Sequence, residues 1–163
     1  MQRLFSSLNP RESLVFAIMI EERNHHVYSR LGDLFRKHCS NEPELQSLFY
    51  DLARKEKQHG TLLQEHHDAR FGPMELSISE DAILESIEAP HLNLGDILAA
   101  AETGDAAAAL RMSLEMAIAT ENGAVAFYSE LVKRTTDSEL KSLYEQLLVF
   151  EQDHTDGLRE IRV

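Results

Sequence analysis

Lys55-Glu56-Lys57-Gln58-His59 and Phe150-Glu151-Gln152-Asp153-His154 are the two stretches whose reading decides the fold. Each carries a Glu-x-x-His inside a long helical pattern. Residues three apart on a helix share a face, so each stretch can aim one carboxylate and one imidazole at a common point. Two such pairs, with a lone glutamate from each of two further helices, make a dinuclear metal site in the core of a four-helix bundle. The lone glutamates are Glu21 and Glu121.

An internal repeat ties these residues together. Ala17-Ile18-x-x-Glu21 matches Ala117-Ile118-x-x-Glu121, and Tyr28-Ser29-x-Leu31 matches Tyr128-Ser129-x-Leu131, all at an offset of 100. At an offset of 95, Leu48, Leu52, Glu56, His59 and Leu63 fall on Leu143, Leu147, Glu151, His154 and Leu158. A duplicated helical hairpin predicts a pseudo-twofold axis with the site on or near it.

Glu-x-x-His alone is weak evidence, because Glu22-x-x-His25 and Glu88-x-x-His91 also occur and neither recurs in the repeat. Helical phase separates the cases. Glu21 shares a stripe with Tyr28, Leu31 and Phe35, whereas Glu22 shares one with Ser29, Asp33 and Arg36. Glu21 therefore points to the core and Glu22 to water. Glu56, Glu121 and Glu151 also lie on apolar stripes. Four buried, unpaired carboxylates would be costly, and divalent metal removes the conflict.

Helix punctuation places these motifs in a topology. Asn9-Pro10-Arg11-Glu12 opens a helix predicted to reach about His38, and Pro43 lies near the start of a second that stops at Phe71-Gly72-Pro73. Ser77-x-x-Glu80 and Asn93-x-x-Asp96 open two short helices, ending before Pro90 and near Gly104. Asp105 caps a long helix to about Thr135, and Thr136-x-x-Glu139 is read as the capping box of a last helix running almost to Val163. The expected fold is all-α: a single domain over residues 1–163, with two antiparallel hairpins joined by a long crossover that contains short helices. That is the ferritin-like topology. The crossover is expected to pack Ile83, Leu84, Ile87, Leu94, Ile97 and Leu98 on the bundle or on a partner subunit.

Composition narrows the function. The net charge of −12 argues against nucleic acid as a partner, and no apolar run approaches the ~18 residues of a membrane span. Met1 to Asn9 lacks the apolar centre of a signal peptide. A single cysteine, Cys39, excludes an internal disulfide and fits a cytoplasmic protein.

Carboxylates with two imidazoles suit iron or manganese and can accept zinc. Tyr28 and Tyr128, two turns beyond the lone glutamates, are candidate hydrogen-bond supports for the site carboxylates. His25, matched by Val125 in the repeat, reads as a core histidine satisfied by a neighbour. Asn24 is a further polar neighbour on that side. His66 and His67 read as solvent-facing.

The chain resembles the rubrerythrin family of the ferritin-like superfamily. The resemblance rests on Ala17-x-x-x-Glu21 with Tyr28, Glu56-x-x-His59, Ala117-x-x-x-Glu121 with Tyr128, and Glu151-x-x-His154. It implies two iron ions in a non-haem centre, hydrogen peroxide or dioxygen as oxidant, and a homodimer. The four-cysteine rubredoxin domain of typical rubrerythrins has no counterpart, so the electron donor is expected to be a separate protein. Ala124 stands where rubrerythrins place an additional glutamate. The remaining six-ligand set is similar to the ferroxidase centre of bacterioferritin, although Lys57 occupies the place of that family's haem-binding methionine. An oxidoreductase, an iron-storage subunit and a structural or sensing metal module are thus the three functions to be weighed.

Overall fold

The computed structural model describes residues 8–39, 41–73 and 94–161. Five helices are present among them: α1 (Pro10–His38), α2 (Pro43–Phe71), α3 (Leu94–Glu102), α4 (Ala106–Arg134) and α5 (Ser138–Glu160). The short helix expected from Ser77, with Ile83, Leu84 and Ile87, lies outside the described residues, as does Asn93.

The caps follow from local chemistry. Asn9 accepts from the Glu12 backbone N–H at 3.0 Å while the Glu12 carboxylate accepts from the Asn9 N–H at 2.8 Å, a complete capping box with Pro10 in the first turn. Arg36, Lys37 and His38 occupy the last turn of α1, where positive charge suits the helix dipole. α2 ends at Gly72, whose φ of 82° lies in the left-handed region that favours glycine. Asp105 caps α4 through the Ala108 N–H. The last helix departs from expectation: its cap is Asp137, not Thr136. The Asp137 carboxylate accepts from both Glu139 and Leu140 N–H groups and is also paired with Arg70 on α2. A carboxylate whose Oδ1 accepts from two N–H groups and whose Oδ2 accepts from Arg70 outcompetes a hydroxyl one residue earlier.

Cross-helix contacts give the chain directions. Between α1 and α2, Glu22 meets Lys57, Asn24 meets Glu56 and Asp33 meets Tyr50, so the two run antiparallel. Tyr28 meets Glu121 and Tyr128 meets Glu21, which makes α1 and α4 antiparallel. Arg70 meets Asp137 and His154 meets Glu56, which does the same for α2 and α5. α2 and α4 consequently run the same way. The connection between them must return along the bundle, and this sets the topology as two hairpins with a long crossover. At the α1–α2 contact, Gly32 leaves room for the Tyr50 ring, which a Cβ there would approach to 2.8 Å and force to move.

The apolar core falls into two clusters. One gathers Leu31, Phe35, Phe49, Leu52, Leu114 and Leu158, and the other Leu14, Ile18, Leu63, Phe127, Leu143 and Leu147. On each long helix the residues between the two clusters are the polar ones singled out by the repeat. α3 closes the first cluster with Ile97 and Ala101, both buried, and with Leu94 packed alongside; Leu98 remains 38% exposed.

Asp137 offers a test of the α2–α5 lock. The hydrogen bond from Arg70, then the α5 N–H groups, hold its carboxyl below the usual range. A depressed folded-state pKa contributes stability above the unfolded pKa of about 3.9, and the contribution disappears as pH falls through the folded value. Asp137→Ala is expected to lower the melting temperature at neutral pH. Asp137→Asn, which keeps a capping oxygen, should lower it less. Both deficits should narrow as the pH is taken down through about 4 in thermal melts followed by circular dichroism.

Candidate metal centre

The six residues picked out by the repeat meet between the two apolar clusters. Glu21, Glu56, Glu121 and Glu151 are 0% exposed, and His59 and His154 are 8% and 6% exposed. Burial follows from phase: each lies on the stripe that its helix turns to the core. Their spacing obeys the twofold pattern. His59 Nδ1 lies 3.3 Å from Glu21, 3.3 Å from Glu151 and 3.9 Å from Glu56. His154 Nδ1 lies 3.5 Å from Glu121, 3.2 Å from Glu56 and 3.9 Å from Glu151.

These short distances are not aligned hydrogen bonds. Glu21 Oε2, Glu56 Oε1, Glu121 Oε2, both oxygens of Glu151 and the Nδ1 atoms of His59 and His154 are buried without a hydrogen-bond partner. Unpaired buried polar atoms are rare in folded proteins and each costs on the order of 1–3 kcal/mol. Seven converging in one place suit an electron-pair acceptor that all of them can share. Oxygen and nitrogen ligands held at about 2.0–2.2 Å from a small divalent ion are themselves about 3–3.5 Å apart, and the contacts of His59 with Glu21 and Glu151 and of His154 with Glu121 and Glu56, at 3.2–3.5 Å, have that spacing. The donors fall into two groups, Glu21–Glu56–His59–Glu151 and Glu56–Glu121–Glu151–His154, each with its ligand atoms within 4.8 Å of one another. The residues therefore fit a pair of metal ions. Glu56 and Glu151 belong to both groups and can be shared, while Glu21 and Glu121 each belong to one.

The tyrosines explain how the unshared glutamates are aimed. Tyr28 donates to Glu121 Oε1 and Tyr128 to Glu21 Oε1. The pattern is crossed: each tyrosine serves the glutamate of the other hairpin, because α1 and α4 are antiparallel. In each glutamate the oxygen left over, Oε2, is the one facing a histidine. Burial, then the nearby carboxylate charge, pushes both phenols well above their usual range, so they remain protonated donors.

The carboxylates of the cluster act strongly on one another. Burial, then the neighbouring Glu21 charge, pushes Glu56 well above the usual carboxylate range, and burial with Glu21 and Glu56 does the same to Glu151. Burial alone would lower His154, but the Glu121 and Glu56 oxygens outweigh it and hold the imidazole at about 9. Burial likewise tends to raise Glu121, yet its contacts with His154, Glu151 and Tyr28 bring it below the ordinary value.

Residues outside the six divide between expected and unforeseen. Glu22 is half-buried and paired with Lys57 at 3.0 Å, away from the cluster. His25 is satisfied by the Ala53 carbonyl, 2.8 Å from its Nδ1. His67 corrects the expectation of a solvent-facing residue. It is 0% exposed, tilted against the Phe71 ring, with Nδ1 3.1 Å from Asp68. The signal was present: His67 lies one turn beyond Leu63 and continues the Glu56–His59–Leu63 stripe. His66 stays partly exposed near Glu139. Phe150 and Arg23 were not anticipated. Phe150 stacks on His59 at a centroid distance of 5.1 Å and an interplanar angle of 8°. With Lys55, Gln58, Leu62 and Asp153 it rims a depression of about 320 Å³ that reaches both histidines. No helix among the described residues is long and apolar enough to cross a membrane.

The family model described as Rubrerythrin matches residues 12–162. No curated protein and no solved structure matches the chain.

A ligand that binds the native cluster and not the unfolded chain stabilises the fold by about 2.7 kcal/mol at a hundred times its dissociation constant. Ferrous ion added to metal-free protein is expected to raise the melting temperature, and a chelator to reverse the rise. Glu151→Gln should lose most of it, whereas Glu22→Gln should keep it. Differential scanning calorimetry under anaerobic conditions makes the comparison.

Proposed function

The chain belongs to the rubrerythrin family, and from that premise we propose that it is a non-haem di-iron oxidoreductase that reduces hydrogen peroxide or reacts with dioxygen. The observation that carries this reading is the pair of overlapping groups of buried, unpartnered carboxylate and imidazole atoms on a pseudo-twofold axis. Glu21, Glu56, His59, Glu121, Glu151 and His154 would hold the metal. Carboxylates with imidazole suit iron or manganese and admit zinc, of which iron and manganese are redox-active. When bound, an iron pair passing from ferrous to ferric supplies two electrons, which peroxide takes up with two protons to give two molecules of water.

The chain's own groups prepare the site for that chemistry. Tyr28 and Tyr128 hold one oxygen of Glu121 and Glu21, so that the other faces inward without a search through rotamers. The apolar clusters on either side exclude bulk water. The depression over His59 and His154 is the path for a small oxidant, with the Phe150 ring covering one histidine and Lys55, its counterpart in the repeat, on the rim. Reducing equivalents come from a separate electron-donor protein, and the working unit is a cytoplasmic homodimer.

Ala124 separates two versions of this function. It is fully buried one turn from Glu121, at the position of the additional rubrerythrin glutamate. Four carboxylates balance two ferrous ions, whereas two ferric ions leave an excess of positive charge that a fifth carboxylate would reduce. This favours slower peroxide turnover than in a typical rubrerythrin. It also supports a second reading, a ferroxidase subunit of an iron store, which requires a cage where the first requires a dimer. Size-exclusion chromatography distinguishes the two assemblies.

Protein loaded with ferrous ion should consume peroxide in the presence of an artificial reductant, and Glu56→Gln should abolish the activity. Ala124→Glu should raise the rate at saturating reductant. An unmodified protein that already matches the variant and a rubrerythrin control would show that the missing carboxylate limits nothing.

A further inference from the structure

Arg23 and Asn24 break the twofold pattern, and the chemistry described so far does not use them. Arg23 is 6% exposed and Asn24 is fully buried. Their counterparts in the second hairpin are Gly123 and Ala124, which bring no polar side chain. Arg23 Nε and Nη2 both donate to Asn24 Oδ1, at 3.3 and 3.0 Å. A guanidinium has donors and no acceptor, so the Asn24 oxygen must face Arg23. The amide nitrogen is thereby turned to Glu56 and donates to Oε2 at 3.2 Å. An asparagine held only by Glu56 would be free to rotate; Arg23 makes one orientation obligatory.

The consequence falls on the shared carboxylates. Glu56 and Glu151 are equivalent in the repeat and belong to both donor groups. Asn24 engages one oxygen of Glu56, leaving Oε1 unpartnered, whereas both oxygens of Glu151 are unpartnered. The geometry points to Arg23 and Asn24 as a positioning pair that pins Glu56, making it the fixed shared ligand and Glu151 the adaptable one, so that the two metal positions are inequivalent. An oxygen that accepts a hydrogen bond has less electron density to share with a metal, and its loss of freedom lowers the entropy cost of ligation. Near-symmetric first ligands are thus made unequal by one amide outside them. This inference rests on the proposed di-metal site.

The test uses the full chain, loaded anaerobically with ⁵⁷Fe²⁺ and read by Mössbauer spectroscopy and equilibrium titration. The unmodified protein should show two distinct ferrous doublets. Asn24→Leu, which keeps the charge balance and most of the volume, should draw the doublets together and weaken iron binding by roughly 10- to 100-fold, the usual cost of losing a partner behind a metal ligand. Asn24→Ser covers the case in which the leucine variant does not fold, since its hydroxyl still accepts from Arg23 but is too short to reach Glu56; it should give the same result. Circular dichroism of the metal-free variants separates folding from positioning. A folded variant with unchanged doublets and affinity overturns the inference, leaving Asn24 as a partner for Arg23 alone. Failure of the unmodified protein to bind iron at all overturns the di-metal reading itself.

Discussion

Four glutamates inside an apolar bundle are the constraint on which the structure depends. Like charges at these separations repel, and removing each from water carries a penalty of several kcal/mol. Burial and the Glu21 charge push Glu56 and Glu151 above the usual carboxylate range, while contacts with His154, Glu151 and Tyr28 bring Glu121 below it. Ordinary packing cannot satisfy such a cluster, because seven of its oxygen and nitrogen atoms have no hydrogen-bond partner. The two apolar clusters on either side, and the capped long helices that carry them, stabilise the fold sufficiently to hold the frustrated layer in place. A metal pair held there would cross-link four helices.

Symmetry makes the arrangement inexpensive to encode. One hairpin presents a glutamate and a tyrosine on its first helix and a Glu-x-x-His on its second; repeating it antiparallel completes the site. Antiparallel pairing also explains the crossed tyrosine bonds. A tyrosine two turns beyond its own glutamate is some 10 Å away along the axis, but it lies level with the glutamate of the opposing helix. The hydroxyl takes one carboxylate oxygen and leaves its mate for the centre, on both sides alike.

The departures from symmetry carry the individuality of this chain. Arg23 and Asn24 against Gly123 and Ala124 distinguish the two halves on α1 and α4, and Lys55 against Phe150 distinguishes them at the solvent-facing rim. The first difference bears on Glu56, through Asn24, and the second on the approach to the histidines.

The sequence by itself determined the four long helices, the short one before Gly104 and the six converging residues, because period, caps and repeat are local or self-referential signals. Glu21 was separated from Glu22 by phase alone, and Asn9 and Asp105 announced their helices. His67 was legible in the same way, since it lies one turn beyond Leu63 on the Glu56 stripe. Only the tertiary structure decided that Glu56 and Glu151 fall in both donor groups and Glu21 and Glu121 in one each, since that depends on what stands opposite each carboxylate. The crossed partners of Tyr28 and Tyr128, and the replacement of Thr136 by Asp137 as a cap through Arg70, likewise depend on a second helix. So does Arg23: a guanidinium one residue from an asparagine reads as surface until the packing of α1 on α2 closes over both and turns the amide to Glu56. Pattern shows which face of a helix is buried; which atom meets which is set by the neighbour that covers it.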